Sequence, residues 1–365
     1  MAMMNNSPTT MMNEDVMLEI MSYCPATEMA KFRLLNKECN KRSYELSFIN
    51  RNLHRTNSFF GYIFLYREVR NKKFAPYYWY HSSFVSAFGS KEKNRISLAL
   101  LPRFLNNADI KACDTHHGIL LCIKDDNLWG RIPGYIVCKP ATKQYRLIPN
   151  PETRFHTVAT GLMVVSSNPF RCKIIRVSRD GDFKLSCEVY DSDSDAWNRL
   201  SNLKFSGFFL RMQPVSAYGC LHWLTEKNNV MRFCMRTETW STFPVPDELV
   251  DDDCLLLVSY EGKLGVIHSR WREGSNIWVL EKSFGTSWVR FKDVKIKALE
   301  DDISNEEPIW LPSNDTISRA ASGKLGLYNM SNDNYRYLYT IPDFYYYLPF
   351  YSNFERVCLH KDDVE

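Results

Sequence analysis

Four residues lying close together, Cys113, His116, His117 and Cys122, are of the types that hold zinc, because thiolate and imidazole donors suit that ion. Their setting argues against it. No Cys-x-x-Cys pair occurs, and Gly118-Ile119-Leu120-Leu121-Cys122 reads as a turn followed by a buried strand, so no metal is expected there. His222 lies between Leu221 and Trp223 and reads as a hydrogen-bonded strand histidine rather than a general base. The run Asp251-Asp252-Asp253 carries charge enough to attract a cation, yet consecutive carboxylates usually form a solvated loop. The sequence also lacks GxxxxGK followed by Ser or Thr, a GxSxG elbow and an HExxH pair. No catalytic residue and no cofactor is predicted.

The remaining chemistry is that of surfaces. Between residues 51 and 100, Arg51, Arg55, Arg67, Arg70, Lys72, Lys73, Lys91, Lys93 and Arg95 face only Glu68 and Glu92, and Tyr77, Tyr78, Trp79 and Tyr80 interrupt them. Phosphate contacts with stacking platforms would make a nucleic-acid surface. The same residues fit two aromatic-rich strands, Phe60 to Val69 and Tyr77 to Phe88, whose edge lysines keep them from aggregating, and a net charge of +4 demands no acidic partner. Nucleic acid is therefore not predicted as a ligand. Trp129, Trp271 and Trp310 are aromatics that would support a glycan-binding reading.

With 45% apolar and 24% charged residues in 365, the chain can bury a substantial core. Its eleven cysteines are odd in number, scattered, and mostly set in apolar runs, which predicts reduced thiols in a cytoplasmic or nuclear protein. No stretch has the continuous apolar length of a membrane span, and the Met-rich start has neither a basic nor an apolar signal region.

From about Ser58 onward, runs of four to eight apolar or β-branched residues alternate with turn clusters. A unit recurs in which a short strand, a polar turn and an aromatic follow one another: it ends at Tyr145, Trp197, Trp240, Trp288 and Tyr335, spaced 52, 43, 48 and 47 residues apart. In each, the aromatic falls six residues after Lys139, Asp191, Cys234, Lys282 or Asn329. Gly118, Gly219, Gly262 and Gly323 each stand at a turn before a strand, where positive φ costs glycine little. Units of this length are small antiparallel sheets that need neighbours on both faces, so residues 56–360 are predicted to form an all-β propeller of about six or seven blades at ~45 residues each.

The forty residues before it have a different period. Asn13 can cap a helix whose first turn holds Glu14 and Asp15; Val16, Met17, Ile20, Met21 and Cys24 follow at helical spacing, and Pro25 ends it. Thr27 can cap a second helix carrying Met29, Phe32, Leu34 and Leu35, and Asn36 a third running toward Phe48. Three short helices cannot close a large core, so residues 12–55 are expected to offer apolar side chains to a partner, between a disordered segment 1–11 and the propeller. Residues 361–365 read as a tail.

This segment resembles an F-box: Met12, Asp15, Val16, Leu18, Ile20, Cys24-Pro25, Met29, Phe32, Leu34-Leu35 and Lys37 fall on that family's positions. The resemblance implies docking to a Skp-type adaptor, and through it to cullin and RING subunits, by Met12, Val16, Ile20, Pro25, Met29, Phe32 and Leu35 with Lys37 on the rim. Two positions depart from the pattern. Asn13 stands for the usual Pro, and Cys39 for a common Trp, which takes a large apolar contact from the expected adaptor side. The repeats, with Asp114-Thr115-His116-His117-Gly118, Tyr135-Ile136-Val137-Cys138-Lys139-Pro140, Tyr218-Gly219-Cys220-Leu221-His222-Trp223 and Glu238-Thr239-Trp240, resemble the F-box-associated, Kelch-like domain of plant F-box proteins. That order of modules implies a non-catalytic substrate-recognition subunit of a Skp–cullin–F-box ubiquitin ligase, holding a target protein on the propeller. The alternative is a propeller scaffold whose F-box no longer recruits a ligase.

Overall fold

The structure is a computed structural model that describes residues 13–359 except 57, 73–74, 88–107, 115–116, 125–132, 168, 180–184, 201–208, 210–212, 251–254, 271–273, 283–284, 295–308, 314, 322–323, 333, 341–345, 354 and 356. Four helices come first: α1 (Glu14–Met21), α2 (Ala26–Arg33), α3 (Lys37–Arg42) and α4 (Leu46–Arg55). Asn13 caps α1 through Oδ1, which accepts from the Asp15 N–H at 3.0 Å, and Asn36 caps α3 by accepting from Glu38 and Cys39. The second helix begins at Ala26 with Pro25 as its N-cap, not at the expected Thr27 cap, because the proline ring already fixes φ at −56°. The expected third helix is two. At the break the Ser43 hydroxyl turns back to the Asn40 carbonyl (2.7 Å) and accepts from Arg33 Nε (2.8 Å), while Glu45 is extended at ψ 140°.

Six sheets follow, arranged as blades. Blade I is β3 (Asp109–Asp114), β4 (Ile119–Lys124), β5 (Gly134–Lys139) and β6 (Gln144–Ile148); blade II is β7 (His156–Ser167), β8 (Phe170–Arg179), β9 (Leu185–Asp191) and β10 (Ala196–Arg199). Blade III is β11 (Val215–Ala217), β12 (Cys220–Leu224), β13 (Asn229–Cys234) and β14 (Thr239–Pro244). Blade IV is β15 (Leu255–Tyr260), β16 (Lys263–Arg270), β17 (Gly274–Leu280) and β18 (Trp288–Val294), and blade V is β19 (Ile309–Ser313), β20 (Thr316–Ala321), β21 (Lys324–Asn329) and β22 (Asn334–Thr340). The sixth is built from both ends of the chain: β1 (Ser58–Lys72) pairs with β2 (Ala75–Ser86) on one side and with β23 (Tyr346–Asn353) on the other. The first strands of blades I and V flank β23, which sets the innermost strands around a common axis.

The repeated aromatics all lie on the fourth, outermost strands, each opposite a residue near the end of the third strand: Cys138↔Tyr145, Tyr190↔Trp197, Phe233↔Trp240, Leu280↔Trp288 and Tyr328↔Tyr335. The sequence spacing misplaces only Lys282, because the Leu280↔Trp288 pair is one residue further apart in sequence than the other four. Two of the indoles also latch neighbouring blades. Trp197 Nε1 donates to the Pro149 carbonyl at 2.6 Å and Trp288 Nε1 to the Pro244 carbonyl at 3.0 Å, in both cases where the preceding blade's outer strand ends. Gly118, Gly219 and Gly262 have φ of 65°, 69° and 74° in the turns between first and second strands; Gly323 lies outside the described residues.

The cores lie between blades. Trp197, Tyr135, Leu162, Ile174, Val357 and Leu359 belong to one cluster, so the chain beyond β23 returns to fill the seam between blades I and II. Gln144 holds that returning segment by bonding both the N–H and the carbonyl of Val357. Replacing Trp197 by Phe should keep the ring and lose its hydrogen bond to the Pro149 carbonyl, costing about 1 kcal/mol in denaturant unfolding, whereas Trp197→Ala should cost about 3–5 kcal/mol.

Candidate docking surface

The helical module is held by apolar residues at its centre. Leu18, Met21, Met29, Cys39 and Phe48 are buried together, and Met17, Cys24, Phe32 and Tyr351 pack against them. Tyr351 comes from β23, so a propeller strand completes the core of the helices. One polar side chain fastens α4 to α1: buried Asn52 donates from Nδ2 to the carbonyls of Ser22 (3.1 Å) and Cys24 (2.9 Å), two of the acceptors that the end of α1 leaves without a helical partner. Nothing in the residue pattern of α4 singled Asn52 out.

With Leu18 and Met21 turned inward, Val16, Ile20 and Tyr23 fall on the opposite side of α1 at four- and three-residue spacing, and all three are exposed. Leu34 and Leu35, in the turn after α2, are 88% and 71% exposed, more than any other large apolar side chain described. The Asn36 amide reaches Glu14 at 3.5 Å, which sets that turn beside the first turn of α1. Charges border the patch. Asp15 pairs with Arg42, Glu19 pairs with Arg55 and Arg51, and the Arg55 guanidinium lies 4.3 Å over the Tyr23 ring.

The residues expected to dock therefore separate into groups. Val16, Ile20, Leu35 and Lys37 are exposed; Pro25 and Phe32 are half-buried; Met12 lies outside the described residues. Met29 is 6% exposed and is a core residue of the module, since α2 turns it toward Met21 and Cys39 rather than outward. Cys39 is fully buried as well, so a cysteine there removes volume from the interior and takes nothing from the exposed patch. Tyr23 and Leu34 were missed as surface residues, although the heptad-like step from Val16 to Tyr23 was visible in the sequence.

The module stands on a defined side of the ring. Because α4 leads through Thr56 into the start of β1, it sits where first and second strands of the blades are joined. There the Tyr44 hydroxyl lies against the β15–β16 turn, where a Cβ on Gly262 would come within 2.9 Å of it, and the Arg33 guanidinium covers the Tyr44 ring at 3.9 Å. The described stretches that leave blade I for blade II and blade III for blade IV start from the opposite ends of the strands, on the other face.

Other candidate chemistry resolves into structure. His117 Nδ1 and N–H both bond Asp114, and Cys122 is buried beside Cys138; among the described residues no three His, Cys, Asp or Glu side chains are placed to hold a metal. His116, Asp251, Asp252, Asp253, Trp129, Trp271, Lys73, Lys91, Lys93 and Arg95 lie outside the described residues, as do the side chains of Trp310, Arg67, Arg70 and Lys72. The buried pair Arg176–Glu188, which periodicity did not reveal, is a brace: its atoms bond Thr153, Phe155 and Thr157 and so tie the connection from blade I to blade II.

His222 donates from Nδ1 to the Val215 carbonyl at 3.2 Å. Burial outweighs that bond and brings its imidazole down to about 4, with Arg232 adding to the effect. The unfolded chain therefore binds a proton that the folded chain refuses between pH 6.5 and 4. Stability should fall by about 2 kcal/mol from pH 7 to pH 5, and His222→Asn should flatten that acid limb in denaturant melts.

The family model and the sequence relatives agree with this architecture. The family model for the F-box associated beta propeller domain matches residues 85–317. The Arabidopsis thaliana F-box protein At5g41720 is 66% identical over 198 residues, which are 52% of this chain and 100% of that protein. The Arabidopsis thaliana F-box/LRR-repeat/kelch-repeat protein At2g27520 is 26% identical over 277 residues, 73% of this chain and 71% of that one. Among solved structures, TolB from Acinetobacter baumannii matches with 9% identity and a TM-score of 0.47, over 86% of this chain and 72% of that chain.

Proposed function

The chain belongs to the plant F-box proteins that carry an F-box-associated β-propeller domain, and from that premise we propose that it is the substrate-recognition subunit of a Skp–cullin–F-box ubiquitin ligase. The observation that carries this reading is the exposed set Val16, Ile20, Tyr23, Leu34 and Leu35 on an otherwise well-packed module. Apolar side chains left outside a satisfied core suit a partner's apolar groove, and the flanking Glu19 and Arg55 suit a polar rim. The adaptor would cover this patch and bring the cullin and RING subunits with it. Cys39 is buried, so that departure from the family pattern acts on the interior of the module and leaves the exposed patch as it is, which supports this reading.

In this reading the protein performs no bond chemistry. It raises the local concentration of a target lysine near a charged conjugating enzyme, which converts an encounter into an effectively intramolecular transfer. The contacts of Tyr44 with the propeller turn at Gly262 and of Tyr351 with the module would keep that distance fixed. We place the target on the face away from the helices, where the connections between blades offer more varied chain than the tight turns on the module side. Such ligases work on cytoplasmic and nuclear targets, the compartments that the scattered free thiols favour.

Ile20→Asp or Leu35→Asp should abolish binding of a purified Skp-type adaptor in calorimetry, because either puts a charge in the middle of an apolar contact, while the circular dichroism of the propeller stays unchanged. Unaltered affinity in both variants would refute the assignment of this surface.

A further inference from the structure

Hairpins that join the third and fourth strands of different blades share one device. The residue ending the third strand accepts hydrogen bonds from backbone N–H groups two and three residues on: Asp191 Oδ1 from Asp193 (2.8 Å) in blade II, and Asn329 Oδ1 from Ser331 (2.9 Å) and Asn332 (3.2 Å) in blade V. In these two blades the position carries an acceptor, and the N–H groups aimed at it suit a negatively charged one. In blade III it holds Cys234, whose thiolate is favoured by the Thr237 hydroxyl and by the backbone N–H groups of Thr237 and Arg236 beside it. A thiol in that seat is stabilised as thiolate. Cys234 is also half-buried rather than sealed, so a small solute can reach it.

Directly across the ladder lies a second cysteine. Cys220 pairs in register with Cys234, and counting along β12 and β13 from the Thr225 N–H bond to the Asn229 carbonyl (2.9 Å) makes this a non-hydrogen-bonded pair. At such positions the Cα atoms stand about 4.5 Å apart and the side chains are closest, within the range a disulfide spans. We propose that Cys234 is an oxidant-reactive thiolate and Cys220 its resolving partner, so that a peroxide converts the two into a cross-strand disulfide.

The chemistry balances. The Cys234 thiolate attacks one oxygen of hydrogen peroxide, the O–O bond breaks, and hydroxide leaves a sulfenic acid on Cys234. The Cys220 sulfur then attacks the Cys234 sulfur, the S–O bond breaks, and the departing hydroxide takes the Cys220 proton as water. Two thiols have lost two electrons and peroxide has gained them. The two sulfurs have different roles because their surroundings differ. Burial pushes the Cys234 thiol up, but the polar groups around it, Thr237 first and then Arg236 and Cys220, outweigh burial and bring it down to about 7. Burial pushes the Cys220 thiol up to about 11, which keeps its proton in place until the second step.

Proximity alone is not the criterion. Cys122 and Cys138 lie 3.8 Å apart, yet both are sealed in the core, and their mutual hydrogen bond and burial hold the Cys122 thiol well above its ordinary range. They form an internal control within the same chain. The reactive pair lies next to a seam, since Glu238 in the Cys234 turn holds Lys173 of blade II. Closing the disulfide therefore stiffens the β13–β14 turn whose Glu238 pairs with blade II.

The test uses the full-length protein in its reduced state, with iodoacetamide and hydrogen peroxide as probes. Cys234 should be alkylated with a pH midpoint near 7 and, at pH 7, roughly ten times faster than an ordinary exposed thiol, while Cys122 and Cys138 stay unlabelled. Peroxide should yield a Cys220–Cys234 cross-linked peptide that dithiothreitol reverses, and Cys220→Ser should instead accumulate a dimedone adduct on Cys234. An alkylation midpoint near pH 8.5, or oxidation of the unmodified sequence that yields no such peptide, would overturn the proposal.

Discussion

Ring closure is the constraint on which the whole molecule depends. Each blade has two faces to bury and can bury neither by itself, so the set is stable only when the last blade meets the first. That meeting is the pairing of β1 with β23, from Ser58 opposite Asn353 to Leu65 opposite Tyr346, between parts of the chain almost three hundred residues apart. So distant a contact gains nothing until the loop entropy has been met. Aromatic packing supplies the compensation: Phe59, Phe84 and Phe350 meet with centroids 5.4 to 6.0 Å apart, and Phe64 stacks on Tyr347 at 5.4 Å and 11°. Each such pair adds about 0.5–1.5 kcal/mol beyond its buried area.

The same seam carries the helices. Because α4 runs directly into β1, and Tyr351 of β23 lies in the core of the helical module, the strands that close the ring also seat the patch formed by Val16, Ile20 and Leu35. A flexible linker would have left that patch free to point anywhere. Here Tyr44 rests on the turn at Gly262, and Arg33 covers its ring. The half-buried Arg33 guanidinium is held below its usual range by desolvation, against the opposing influence of Tyr44 and Tyr351. The module and the ring thus form one continuous packed body around three side chains.

Much of this was legible from spacing. The aromatics at Tyr145, Trp197, Trp240, Trp288 and Tyr335 marked the outer strands because a repeated sheet must repeat its packing, and Gly118, Gly219 and Gly262 marked turns because positive φ selects glycine. The number of blades was not legible, since the sixth is assembled from both termini and has no complete repeat in the chain. The helical module was readable as apolar stripes, but not which stripe faces in. Helical periodicity gives the same weight to Met29, which is core, and to Ile20, which is surface, and only the packing of α2 and α4 tells them apart. Long-range polar contacts such as Asn52 to Ser22 and Arg176 to Glu188 leave no local signature at all.

The central claim is that one face of α1, with the turn after α2, receives an adaptor while the propeller remains free for a target. Hydrogen–deuterium exchange of the full-length protein, with and without a purified Skp-type adaptor, tests it most directly. The account predicts slowed exchange confined to α1 and to the Leu34–Asn36 turn, with the strands and connections of the ring unchanged. Protection that appears on the propeller and spares α1, or no protection anywhere at saturating adaptor, would contradict it.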